Sequence, residues 1–215
     1  MADPWAFGWT QVFTIIGFAI TIAIALGGFR SFRRWRREML EERRIEVALD
    51  ALTIAYKTKF VFEHIRGVLA SSYEWNEMPQ LPGDTDDKRQ RRGSYYAAFK
   101  RIERNKEYFD GLWQLQPNFM AIFGAETENI FLKVHKARRH IEVAAQMLFQ
   151  NAVEPPHEDT PDTRKLWRQL RGDLWEGGGG EVDNDRVGSL LIDFKNDVEA
   201  ICLPVVAEFR SEVRK

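Results

Sequence analysis

Apolar positions fall into two regimes along the chain. From Trp9 to Phe29 they form a nearly unbroken run, WTQVFTIIGFAITIAIALGGF, with no charged residue in 21 positions. At 1.5 Å rise per residue a helix of about 20 residues crosses a hydrocarbon core of roughly 30 Å. After residue 37 the apolar residues become periodic. Ala48, Leu52, Ala55, Phe62, Ile65 and Leu69 recur at helical spacing and predict an amphipathic helix reaching to the MPQLPGDTDD segment, whose two prolines and glycine end it. The sequence leaves open whether this helix is continuous with the apolar run.

Three further long or short helices follow by the same rule, and then a last one. Tyr95, Phe99, Ile102, Phe109 and Leu112 mark a helix over about 86–116, with Pro117 closing it or opening the next. Ile130, Val134, Ala137, Ile141, Ala144 and Leu148 alternate steps of four and three over 118–151, a narrow seam suited to a facing helix. Leu166, Leu170 and Leu174 mark a short helix between the VEPPHEDTPDT loop and the glycine run at 177–180. Val187, Leu190, Phe194, Val198, Ile201 and Val205 mark the last, with acids at Asp183 and Asp185 placed to cap it and Pro204 expected to kink or truncate it. No stretch alternates with a two-residue period. The fold class expected is all-α: one N-terminal transmembrane helix followed by an antiparallel helical bundle of about four long helices plus one short helix. Loops are expected near 78–87, 152–163 and 176–182.

Charge gives the apolar run a direction. Residues 1–37 hold Asp3 against Arg30, Arg33, Arg34, Arg36 and Arg37, a net +4. The whole chain carries −1, so residues 38–215 carry −5. Arginines after the run and none before it fit a retained anchor rather than a cleaved signal peptide, whose basic residues precede a shorter core. The positive-inside rule then places 1–8 as a short external N-terminus, 9–29 as the span, 30–37 as a basic juxtamembrane segment and 38–215 as a cytoplasmic domain. This is a single-pass inner-membrane topology. Trp5, Phe7 and Trp9 at one edge, and Phe29, Phe32 and Trp35 at the other, sit where aromatic rings favour the interface. The segment RSFRRWRR is assigned to anionic lipid headgroups through Arg30, Arg33, Arg34, Trp35, Arg36 and Arg37. Nucleic acid is not an expected partner, since the remaining domain is acidic. Ala19, Ala23 and Gly27 form a stripe of small residues on which two anchors could meet.

Little catalytic chemistry is legible. The chain has no phosphate-binding P-loop, no HExxH, no GxSxG and no GxGxxG. Cys202 is the sole cysteine, so no intrachain disulfide forms. His64, His135, His140 and His157 lack ligand spacing: Glu154 and His157 are three apart but are separated by prolines, and His135 and His140 are five apart and read as solvent-facing in KVHKARRH. Asp84, Asp86 and Asp87 read as a solvated loop and helix start. Lys59 and Lys106 continue apolar stripes and read as side chains lying along the core edge. No cofactor or metal is expected.

The anchor with its RSFRRWRR segment, FMAIFG at 119–124, LWEGGGG at 174–180 and VEAICLP at 198–204 together resemble uncharacterised bacterial single-span membrane proteins with a cytoplasmic helical domain. The resemblance implies architecture and no activity. The function expected is a membrane-tethered helical interaction or scaffold module, not an enzyme, acting through self-association or an unidentified protein partner. The alternatives are a membrane-associated regulatory or stress-response component, or an enzyme whose site is assembled from scattered groups such as Glu103, Glu142, Tyr95 and Tyr96.

Overall fold

A computed structural model of the chain describes residues 6–152, 160–178 and 185–213. It is all-helical, with no strand among the described residues. The helices are α1 (Ala6–Ile65), α2 (Asp86–Arg104), α3 (Lys106–Phe123), α4 (Glu128–Asn151), α5 (Pro161–Leu174) and α6 (Arg186–Val213), with short 3-10 turns at Ser72–Glu74 and Ala125–Thr127. The helical backbone continues unbroken through the end of the apolar run and the arginines into the amphipathic segment. Two compact units divide the chain, Met1–Glu46 and Val47–Lys215.

In the first unit α1 carries a stretch long and apolar enough to cross a membrane, and none of that stretch is covered by protein. Phe13, Ile15, Phe18 and Ile24 are each about two-thirds exposed, at 67%, 67%, 67% and 69%.

In the second unit α4 is the central helix, with α2, α5 and α6 all packed against it. The seam read from the sequence is its buried face: Ile130, Val134, Ala137, Ile141, Ala144 and Leu148 are all inside. Aromatic rings join three helices across the core, with Phe131 of α4 edge-on to Phe119 of α3 at 5.3 Å and to Phe194 of α6 at 6.0 Å. The end of α1 joins them through Phe62, edge-on to Phe109 at 6.1 Å. Such pairs add roughly 0.5–1.5 kcal/mol beyond the area they bury.

Several boundaries differ from the expected ones. The first amphipathic helix ends at Ile65 rather than near residue 77, leaving Leu69 91% exposed. The expected helix over 86–116 breaks at Asn105, which ends α2 and begins α3; its side-chain amide donates to the Arg101 carbonyl and takes up one of the acceptors a helix end leaves over. Pro117 neither closes nor opens a helix but lies inside α3, because Leu112 and Leu115 before it and Phe119 after it are all buried and hold the helix together. Gly124 is the true stop, with φ 106°, a region in which a side chain is strained. Pro204 likewise lies within α6, exposed, with buried Cys202 and Val205 on either side of it. In each case the burial of neighbouring apolar side chains outweighs the roughly 3 kcal/mol that an interior proline costs.

Candidate functional site

The juxtamembrane arginines come first along the chain. Arg30, Arg33, Arg34, Arg36 and Arg37 all lie on the exposed surface of α1. At 3.6 residues per turn, Arg30, Arg33, Arg34 and Arg37 share roughly one 100° sector, and Trp35 points away from them. Arg34 is paired with Glu38 at 2.8 Å, and the Arg33 guanidinium lies 4.3 Å from the Phe29 ring centroid. Trp35 is 54% exposed and tilted against Phe32. The small-residue positions are open too: Ala19 and Ala23 are exposed, and nothing lies within 4 Å of a Cβ added at Gly27.

The second unit contains charged clasps that the sequence reading passed over. Arg101 of α2 donates through Nε and Nη2 to the two carboxylate oxygens of Glu74, at 2.8 and 2.9 Å. It also donates to the carbonyls of Gly67 and Leu69, both at 2.6 Å. Hydrogen bonds from Arg101 hold the Glu74 carboxyl below the usual carboxylate range. Arg92, fully buried, binds Asp84 and the Pro79 carbonyl, and its guanidinium covers the Phe149 ring at 4.6 Å. Asp84 is therefore not the solvated loop residue expected. The Leu81 amide and Arg92 hold it in place and lower its pKa. Between them the two guanidiniums satisfy the Gly67, Leu69 and Pro79 carbonyls of the irregular segment that follows α1.

The third clasp gathers α1, α5 and α6. Arg66, just past α1, binds both oxygens of Asp185 at 2.8 and 2.9 Å and donates to the Gly172 carbonyl at 2.7 Å. Asp185 also accepts from the Gly188 amide at 2.9 Å, so it caps α6 as expected while holding Arg66. Asp183 lies outside the described residues. A fourth ion pair, Arg186 with buried Asp173, ties α6 to α5.

Beside the third clasp a cleft of about 350 Å³ opens between α1 and α6. The two helices run in opposite directions here: Arg66 meets Asp185, while Tyr56 meets Lys195. Phe62, Leu191 and Ile192 line its middle. Lys59, Lys195 and Asn196 line one end, with Thr58 beneath. Glu176 stands at the other, beside the Arg66–Asp185 pair. The Thr58 hydroxyl is hydrogen-bonded to the phenol of Tyr108 at 2.7 Å, and burial pushes the Tyr108 pKa above its ordinary range. Lys59 is exposed and loosely paired with Glu63 at 3.6 Å, and Lys106 is exposed.

The remaining singled-out residues do not converge. Glu103 pairs with Lys100, Glu142 with Arg138, Tyr95 stacks on Trp175 and Tyr96 packs near Phe149. His135 is not solvent-facing: its ring stacks on Trp113 at 4.0 Å, and burial lowers its pKa. His140 is half-buried, His64 is exposed beside Asn105, and His157 lies outside the described residues. Among the described residues no three His, Cys, Asp or Glu side chains are grouped to hold a metal ion. Cys202 is fully buried and its thiol is pushed up to about 12 by burial. Gly177 adopts φ 75°, and the rest of the glycine run from Gly179 lies outside the described residues.

No protein-family model, curated protein sequence or solved structure matches the chain.

Proposed function

We propose that the chain is a membrane-tethered helical interaction or scaffold module. Residues 9–29 serve as a single transmembrane span and residues 38–215 as an antiparallel helical bundle on the cytoplasmic side. The observation that carries the reading is the first half of α1, where an uncharged run presents large apolar side chains with no protein over them. In water such a surface is an aggregation hazard, while in a bilayer it is the required exterior. A cleaved signal sequence accounts less well for the same run, because the helix continues without interruption into a stretch whose far end, Phe62 and Ile65, is built into the folded core.

The five arginines support both orientation and lipid contact. Basic residues stay on the cytoplasmic side, and each contributes about 1 kcal/mol near an anionic surface. Trp35 and Phe32 belong at the same interface. The partner is a second copy of the chain or one stoichiometric protein, recruited to the inner membrane by helix contacts.

The test is a C-terminally tagged chain co-expressed with an untagged copy. Membranes are washed with alkaline carbonate, treated with protease in intact and opened cells, and then solubilised in mild detergent for capture. Resistance to carbonate, protease access to the tag only after the inner membrane is opened, and recovery of the untagged copy or one stoichiometric protein are expected. Release by carbonate sinks the anchor, and a lone monomer sinks the scaffold role.

A further inference from the structure

The cleft between α1 and α6 is polarised along its length. Its basic end has one lysine on each wall, Lys59 of α1 and Lys195 of α6. Both are held only loosely, at 3.6 Å from Glu63 and from Glu199. That is longer than a hydrogen bond, and exposed pairs of this kind exchange partners at little cost. Asn196 adds a neutral amide there. At the other end the Arg66 charge is already neutralised by both oxygens of Asp185, whereas the exposed Glu176 carboxylate has no ion pair among the described residues. Between the ends lies an apolar stretch of Phe62, Leu191 and Ile192. Counted over the whole cleft, Lys59, Arg66 and Lys195 face Glu63, Glu176 and Asp185, so net charge favours neither an anion nor a cation. The arrangement favours a neutral molecule with a charge of each sign at opposite ends.

Length narrows the class. Lys59 lies seven residues before Arg66, the residue that follows α1, which is about 10 Å at 1.5 Å per residue. An extended peptide spans about 3.3–3.6 Å per residue, so about three residues bridge the same distance. A volume of about 350 Å³ lies at the small end of the roughly 300–1,000 Å³ found for ligand pockets.

We propose that this cleft binds a short apolar peptide with free termini, its carboxylate between Lys59 and Lys195, its side chains against Phe62 and Ile192, and its amino group at Glu176. This site is independent of the membrane reading, since every residue in it belongs to the Val47–Lys215 unit.

Trileucine is the probe, titrated by calorimetry against the full chain in detergent, with acetyl-trileucine and trileucine amide as blocked forms. Saturable binding of trileucine is expected, weakened about tenfold or more by blocking either end, which is the scale of one charge-assisted hydrogen bond. Lys195→Ala weakens trileucine to the level of the amide and leaves the amide unchanged. Glu176→Gln does the same with the acetylated form. Both side chains are solvent-accessible, and an unchanged circular dichroism spectrum verifies that each variant is folded. Absence of saturable binding, equal binding of the blocked peptides, or binding indifferent to both variants overturns the proposal.

Discussion

Replacing Arg101 with Met removes a guanidinium that holds three things at once: the Glu74 carboxylate, the Gly67 carbonyl and the Leu69 carbonyl. The side chains of Arg101 and Glu74 are 6% and 4% exposed, so water does not replace the lost partners freely. Removing one member of a buried ion pair costs about 3–5 kcal/mol. R101M belongs at the upper end, because it also strands two carbonyls. E74L belongs at the lower end, because Arg101 keeps both carbonyl acceptors. The double variant R101M/E74L leaves no buried charge at this position and is expected to fall short of the sum of the singles by at least about 1.5 kcal/mol. Urea unfolding of the full chain in nonionic detergent, followed by tryptophan fluorescence, measures all four corners of the cycle. The pH dependence supplies an independent check. The folded Glu74 pKa lies below its unfolded value of about 4.3, so its contribution is present above that pH and is lost as pH falls through the folded value. The gap between wild type and E74L therefore closes in acid. An R101M cost under about 1 kcal/mol, or strictly additive singles, would refute the reasoning.

Three other outcomes follow from particular contacts. Gly93→Ala places a methyl 2.7 Å from Trp75 Cγ, so overpacking of about 1–3 kcal/mol outweighs the roughly 1 kcal/mol of helix propensity gained; a lowered Tm, restored by adding Trp75→Leu, is expected. Gly188→Ala brings a Cβ to 2.6 Å from Asp185 Oδ2, displacing the carboxylate that caps α6 and pairs with Arg66; chemical denaturation should show a net loss although alanine is the better helix former. The Cys202 thiol, buried and shifted to about 12, should react with an aromatic disulfide reagent near neutral pH only at the rate of local opening, whereas a fast reaction would contradict its burial.

The sequence by itself determined what depends on local pattern. The uncharged run from Trp9 to Phe29, the seam on α4, the capping by Asp185 and the absence of strands among the described residues all follow from side-chain periodicity and charge along one segment. These signals are one-dimensional, and a helix converts them into a face without further information. Tertiary structure decided where helices end and what their charges are for. Leu69 continued a sequence stripe but lies outside the core because α1 stops at Ile65. Pro117 and Pro204 stayed inside helices because buried neighbours outweighed their backbone cost. The pairings of Arg101 with Glu74, Arg92 with Asp84 and Arg66 with Asp185 join residues 27, 8 and 119 positions apart. Arginine and aspartate carry the same sequence signal in a solvated loop as in a buried clasp, so the distinction exists only once packing removes water from around them.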